Sequence, residues 1–229
     1  MEGLPINCGE LSKSPNCDQK TPHILIVGLG GIGSNLLDLV VPVFVKINKP
    51  IEIHLMDNDV IDESNLAHQK FTLQDIGLNK VDALVQKFSL AKKVKLIPIV
   101  ERLFDATQLL GYDLIIVAVD NNLPRELVHE SKSMWVDLRC QGDGWIIIDN
   151  ETDNTIISKL PKQIQPTSCQ LPGAIETGNI EFGFAAVAAI GAQWLCQKVR
   201  ILRGKASQTP KFAMAVSYTH LTLPTMFEV

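Results

Sequence analysis

The residues best placed to do chemistry are four glycines and an acid. Gly28, Gly30, Gly31 and Gly33 fall in the stretch Gly28-Leu29-Gly30-Gly31-Ile32-Gly33-Ser34. Glycine at these spacings permits a tight turn, brings phosphate against backbone N–H groups, and lets a helix pack close to the strand before it. Asp57 stands at the end of the next apolar β-run, where a carboxylate can accept hydrogen bonds from ribose hydroxyls. The simpler alternative for Asp57 is a turn or helix-cap role, but its place directly after a strand favours ribose. Together these residues point to a nucleotide. Alone they do not separate NAD, FAD and ATP.

The elements that must hold them are legible on either side. Apolar residues over His23–Val27 read as a buried strand entering the glycine turn, and Ile32–Phe44 reads as the helix leaving it. Further strands are expected at Ile51–Met56, Lys95–Ile99, Leu114–Val119, Met134–Leu138 and Trp145–Ile148. Helices are expected at Lys80–Leu90, Ala106–Leu110, Pro124–Ser131 and Phe182–Leu202. Short β-branched runs alternating with helical patterns predict an α/β fold: a Rossmann-like, mostly parallel sheet with helices on both faces. Residues 151–180 are polar and carry Pro161, Pro166 and Pro172, so a long loop is expected before the last helix. That helix is rich in alanine, with Gly183 and Gly191 suited to close packing, most simply as buried core.

Composition excludes several classes. With 229 residues the chain can bury one substantial α/β core. A net charge of −4 offers no broad basic field for nucleic acid. No apolar run approaches the roughly 18 residues of a membrane span, so no membrane partner is expected. The polar start, residues 1–21, reads as a flexible arm without the apolar core of a secretory signal. Cys8, Cys17, Cys140, Cys169 and Cys196 form no CxxC pair, so neither a disulfide framework nor a thiolate zinc site is expected and a cytoplasmic location fits. His23, His54 and His129 carry no partner signal and read as ordinary surface or satisfied histidines. The final stretch, residues 216–229, resembles translated sequencing-adapter read-through and is set aside from the fold, the alternative being a terminal strand at Ser217–Leu223.

Four more blocks follow the glycines in order. They are Asp57-Asn58-Asp59-Val60, Ser64-Asn65-Leu66-Ala67-His68-Gln69, Asp75-Ile76-Gly77 with Lys80, and Tyr112-Asp113-Leu114 through Val119-Asp120-Asn121 with Arg125. As a set they resemble the ThiF/MoeB/ubiquitin-activating-enzyme superfamily, whose members carry GxGGxGS, D-x-D, S-N-L-x-R-Q-x-F, D-I-G-x-x-K and D-x-[IV]-x-x-x-x-D-N-x-x-x-R. The resemblance spans about residues 22–205, within a ThiF-type adenylating domain expected over 22–215. It implies ATP and Mg²⁺ as cofactors and adenylation of the C-terminal carboxylate of a ubiquitin-like or sulfur-carrier protein, with a homodimer as the usual assembly. Short members of this kind also occur in mobile-element cassettes, including the PRTRC type. Relatives that activate a small peptide or a tRNA adenosine carboxylate are a further option.

The resemblance assigns roles residue by residue. The glycines and the Asp57–Asp59 pair would bind the nucleotide, with Lys80 as a point charge for the triphosphate and Asn65 bonding a phosphate oxygen. A lysine opening a helix faces an unfavourable dipole, which favours a ligand role for Lys80 over an idle surface position. Asp120, after a buried strand, would hold Mg²⁺, its alternative being a cap for the next helix. Cys169, in QPTSCQLPGAIE, falls where many members carry an acyl-accepting thiol; the alternative is a half-buried loop cysteine. Cys140 reads as core or site lining and Cys196 as core. One departure matters. His68 stands where the superfamily has arginine, and histidine is neither permanently charged nor bidentate. Either His68 makes a weaker phosphate contact or another cation, such as Arg125 or Arg139, takes over. That substitution keeps alive a non-catalytic partner subunit, while an NAD- or FAD-dependent oxidoreductase would leave the S-N-L-x-H-Q and D-I-G-x-x-K blocks without purpose.

Overall fold

A computed structural model describes residues 21–159, 169–170 and 173–215. Nearly all of the expected arm, most of the proline-bearing loop between 160 and 172, and residues 216–229 lie outside the described residues.

The sheet has seven strands: β1 His23–Val27, β2 Ile51–Met56, β3 Val94–Ile99, β4 Leu114–Val117, β5 Met134–Gln141, β6 Gly144–Asp149 and β7 Phe212–Ala215. Their order across the sheet is β3-β2-β1-β4-β5-β6-β7. The first five are parallel; β6 and β7 add on antiparallel. The helices are α1 Gly31–Ile47, α2 Lys80–Lys87, α3 Asn122–His129, α4 Asn154–Ile157, α5 Ala174–Thr177 and α6 Gly183–Leu202.

The apolar runs of β1 and β4 are continuous because both faces are covered. Ile24, Ile26, Leu114 and Ile116 point into a core shared with α1, α2 and α6. Leu25, Val27, Ile115 and Val117 point the other way, onto Leu109, Val128 and Trp135. α1 lies along α6, and Gly191 sits where an added Cβ would meet Leu138 Cδ1 at 2.5 Å and Leu36 Cδ1 at 3.0 Å. Buried core is therefore the role of that glycine. A polar clamp fixes α6 to the end of β6: Trp194 Nε1 donates to Asp149 Oδ2 at 3.1 Å, and Lys198 Nζ donates to Glu151 Oε1 at 2.6 Å.

Three expectations needed correction. The segment at Ala106–Leu109 is a 3-10 turn capped by Asp105 rather than an α-helix. The polar stretch after β6 holds two single-turn helices, α4 and α5. The strand β7 was not foreseen; its residues, FAMA, are half-buried or exposed and carry no strong apolar alternation.

The glycine turn joins β1 to α1 at close quarters. Gly28 has φ +91°, and a Cβ there would lie 2.5 Å from the Ala118 carbonyl oxygen. A Cβ on Gly33 would stand 2.0 Å from the Gly28 carbonyl oxygen. Gly33→Ala must therefore push α1 off β1. We expect a loss of about 1–3 kcal/mol or more, read as a lower urea midpoint. An unchanged midpoint would mean the turn relaxes without cost.

Candidate functional site

A cleft of about 690 Å³ opens at the carboxyl ends of β1, β2, β4 and β5. This is where open α/β sheets present loops and helix starts to ligands. It gathers Gly28, Gly30, Gly31, Asp57, Asp59, His68, Lys80, Asp120 and Cys169. Gly33 lies behind the turn, pressed on the Gly28 carbonyl.

Asp57 braces the glycine turn. Its Oδ2 accepts from the Leu29 N–H at 2.7 Å and its Oδ1 from the Asp59 N–H at 2.9 Å. Burial pushes this carboxyl above its ordinary value, while Lys80 and the two N–H bonds pull against it. Next to it, Lys80 sits at the first position of α2, its side chain only 7% exposed, with Nζ 2.9 Å from Asp59 Oδ2. Asp59 itself is 53% exposed in the side chain, so the lysine is held at the cleft wall by a partner facing solvent.

Asp120 follows β4, is exposed, and takes no hydrogen bond among the described residues. The cap of α3 is the next residue, Asn121, whose side chain accepts from the Leu123 N–H at 3.1 Å. The capping alternative thus falls to Asn121, and the Asp120 carboxylate stays available in the cleft. No group of three or more His, Cys, Asp or Glu side chains fit to hold a metal occurs among the described residues. A lone carboxylate still suits Mg²⁺, which keeps most of its shell for water and phosphate oxygens.

Asn65 goes elsewhere. It ends a short 3-10 turn, Glu63–Asn65, where Asn65 Oδ1 accepts from the Asp62 N–H at 3.2 Å while Asp62 bonds back to the turn. It does not line the cleft. His68 does, and its ring is buried against Phe184, edge to face with centroids 5.8 Å apart. Burial and then the nearby Lys80 push the His68 imidazole below its ordinary value, so it is neutral at pH 7. Its Nδ1 has no hydrogen-bond partner among the described residues.

Positive charge enters from β5 and α3 instead. Arg139 donates from Nε and Nη2 to Asp137 Oδ2 at 2.9 and 2.5 Å. Arg125, 5% exposed, donates to the Val119 carbonyl and places Nη1 3.7 Å from Asp137 Oδ1. Both arginines line the cleft, and the fully buried Asp137 beneath them fixes their direction. His129 joins the same carboxylate at 3.1 Å and stacks on Trp135, a satisfied histidine rather than a surface one. Sequence reading missed Asp137, although an acid inside the buried run WVDLR, two residues before an arginine, is a signal for a buried ion pair. It also missed the wall formed by Arg102, Leu103 and Phe104, with Phe104 66% exposed.

Cys140 and Cys169 line the same end of the cleft, near enough for each thiol to shift the other. Cys140 draws the Cys169 thiol below its ordinary value against burial and the Asp120 carboxylate, whereas Cys169 and burial raise Cys140. Cys196 lies on α6 against the core, its thiol raised by burial. No helix among the described residues is long and apolar enough to cross a membrane.

Known proteins share this architecture. A "Probable molybdopterin-synthase adenylyltransferase" of Porphyra purpurea is 32% identical over 119 residues, covering 49% of this chain and 29% of that protein. Among solved structures, PaaA superposes with a TM-score of 0.58 at 17% identity, over 85% of this chain and 59% of that one. MccB of E. coli, solved with MccA-N7isoASN, gives 0.59 at 18% identity, over 83% and 59%. MccB solved with ATP gives 0.55 at 17% identity, over 83% and 58%. The chain therefore spans less than two thirds of the length of each, and the structural likeness at these identities concerns the fold. The sequence matches the ThiF family over residues 16–226, and with the glycine turn, the strand order and the Lys80–Asp120 cleft in place, this chain belongs to the ThiF family.

Proposed function

We propose that this chain is an ATP-dependent adenylating domain acting on the C-terminal carboxylate of a ubiquitin-like or sulfur-carrier protein, working as a homodimer. The observation that carries this reading is the meeting of the glycine turn, Lys80 and an uncommitted Asp120 in one cleft. The adenylyltransferase relative and the ATP complex of MccB support ATP over NAD. The glycine turn would receive phosphate oxygens on backbone N–H groups, and Lys80 Nζ would neutralise charge there. Asp57 would orient the ribose, and the apolar faces of Leu103 and Phe104 suit a base. Asp120 would hold Mg²⁺, which when bound neutralises phosphate charge. A carboxylate oxygen of the acyl substrate then attacks the α-phosphorus and pyrophosphate leaves. Arg139, with Nε and Nη2 committed to Asp137, keeps its remaining nitrogen for an anion at the β5 end. Cys169, with its lowered thiol, is suited to take the acyl group and release AMP.

Calorimetric titration with ATP plus Mg²⁺, and separately with NAD⁺ and NADH, tests the reading. Micromolar ATP binding that depends on Mg²⁺, with Asp120→Ala removing the Mg²⁺ dependence, is the expected result. Binding of NAD⁺ would overturn it. The neutral, buried His68 favours a second reading, a partner subunit that binds nucleotide without turnover. That reading expects ATP binding with no pyrophosphate exchange in the presence of any carrier.

A further inference from the structure

We infer that Cys140 and Cys169 form a redox-active dithiol whose disulfide closes inside the cleft. Nothing in the adenylation reading requires this bond. It rests on where two backbones fasten the two sulfurs.

Cys140 lies near the end of β5, in register with Trp145 of β6. The turn of that hairpin then reaches across to the segment carrying Cys169: the Gly142 N–H donates to the Cys169 carbonyl at 3.0 Å. Gly142 also accepts from the Gly183 N–H at 3.1 Å, so the same turn anchors the start of α6. The neighbour Gln170 is fixed as well. Its Nε2 donates to the Glu181 carbonyl at 2.8 Å, and its Oε1 accepts from the Glu181 N–H at 3.0 Å. Cys169 is thus held by its own carbonyl and by the residue after it, at the end of the cleft that Cys140 also lines. The outcome is two half-buried thiols near enough for each to shift the other's ionisation. With the backbones of the β5–β6 turn and of Cys169 joined by a hydrogen bond, side-chain rotation is what has to bring the two sulfurs to bonding distance. Both thiols also line the cleft, so a small oxidant has a path to them.

The two sulfurs are unequal. Cys140 draws the Cys169 thiol below its ordinary value against burial and the Asp120 carboxylate, whereas Cys140 itself is pushed up and is the harder thiol to ionise. That asymmetry assigns the order of steps with a hydroperoxide as oxidant. The Cys169 thiolate attacks one peroxide oxygen, the O–O bond breaks, and the departing hydroxide takes a proton to become water. Cys169 is then a sulfenic acid. The Cys140 sulfur attacks the Cys169 sulfur; the S–O bond breaks as the S–S bond forms, and the hydroxyl leaves as water with the Cys140 proton. The two thiols lose two electrons and the peroxide gains them. The product removes Cys169 as a nucleophile and places a cross-link between β5 and residue 169 at the arginine end of the cleft.

The test is oxidation of the full chain with hydrogen peroxide, followed by alkylation, digestion and mass spectrometry. The expected product is a peptide pair linked through Cys140 and Cys169, lighter by two hydrogens and released by dithiothreitol. Cys140→Ser should instead leave a sulfenic acid at Cys169 that dimedone traps, and Cys169→Ser should leave Cys140 unoxidised under the same dose. Recovery of both residues as separately alkylated thiols, or pairing of either with Cys8, Cys17 or Cys196, overturns the inference. Because the map is read on the natural chain, it does not depend on any variant folding. It is also independent of nucleotide: a chain that forms the bond but binds no ATP keeps the dithiol and counts against adenylation, and the reverse result separates them the other way.

Discussion

Asp137→Asn is expected to lower the stability of the fold by about 3–5 kcal/mol, the cost of leaving buried cations without their counter-charge. Asp137 is fully buried and answers to three cationic or potentially cationic partners, Arg125, His129 and Arg139. The amide would keep the shape and lose the charge. Arg125 would suffer most, since burial already pushes its guanidinium downward and Asp137 is the first influence pulling it back. Urea unfolding checks the prediction, and a midpoint shift worth less than about 1 kcal/mol would sink it. The same group predicts an acid limb. Burial opposes the charged form of Asp137, yet Arg125, His129 and Arg139 hold its carboxyl down to about 2, from 3.8. A carboxyl depressed on folding contributes stability that is present above its unfolded pKa and lost as pH falls through the folded one. The wild type should therefore weaken between about pH 4 and pH 2, and the Asn variant should lose that part of the slope.

Lys80→Ala is expected to weaken ATP binding by at least about tenfold, and up to about 150-fold, the range for loss of a charge-assisted hydrogen bond. The change removes a cation and also exposes its neighbours. Asp59 loses its partner at 2.9 Å, and Asp57 loses the charge that partly offsets its burial, so the phosphate end of the cleft becomes net acidic. Stability should fall by less than affinity, because the half-exposed Asp59 turns to water when its partner goes and only the buried Lys80 stem is lost from the packing. Calorimetry and urea unfolding on the same variant separate the two effects. Equal losses in affinity and stability would show that Lys80 is structural.

The sequence carried much of the site because its chemistry sits where strands end. The runs over β1, β2 and β4 are apolar enough to locate, and Asp57 and Asp120 follow two of them. Lys80 was legible as an anomaly, a cation at a helix start. Other features depend on contacts that no local pattern records. Asn65 is drawn into a capping box by Asp62, three residues before it, and the motif spacing alone does not reveal which way its amide turns. The neutrality of His68 needs Phe184, more than a hundred residues away, to bury its ring. β5 runs to Gln141, past its expected end at Leu138, because the hairpin partner β6 keeps pairing with residues that look polar in isolation. Cys140 and Cys169 come from different segments, and only the hairpin turn at Gly142 shows that they meet.

The packing of α1 along α6 also sets a timetable. α1 leaves the ribosome early, with the glycine turn and β2, but the helix that covers its buried face ends at Leu202. β1 waits too, for β4 at Leu114–Val117 on one of its edges. At synthesis rates of about 5–20 residues per second, Leu36, Leu37 and Val40 stay uncovered for on the order of ten seconds or more. During that interval an apolar helix and an unpaired central strand edge are open to wrong partners. Slower translation through the middle of the message would lengthen this aggregation-prone exposure rather than help the fold.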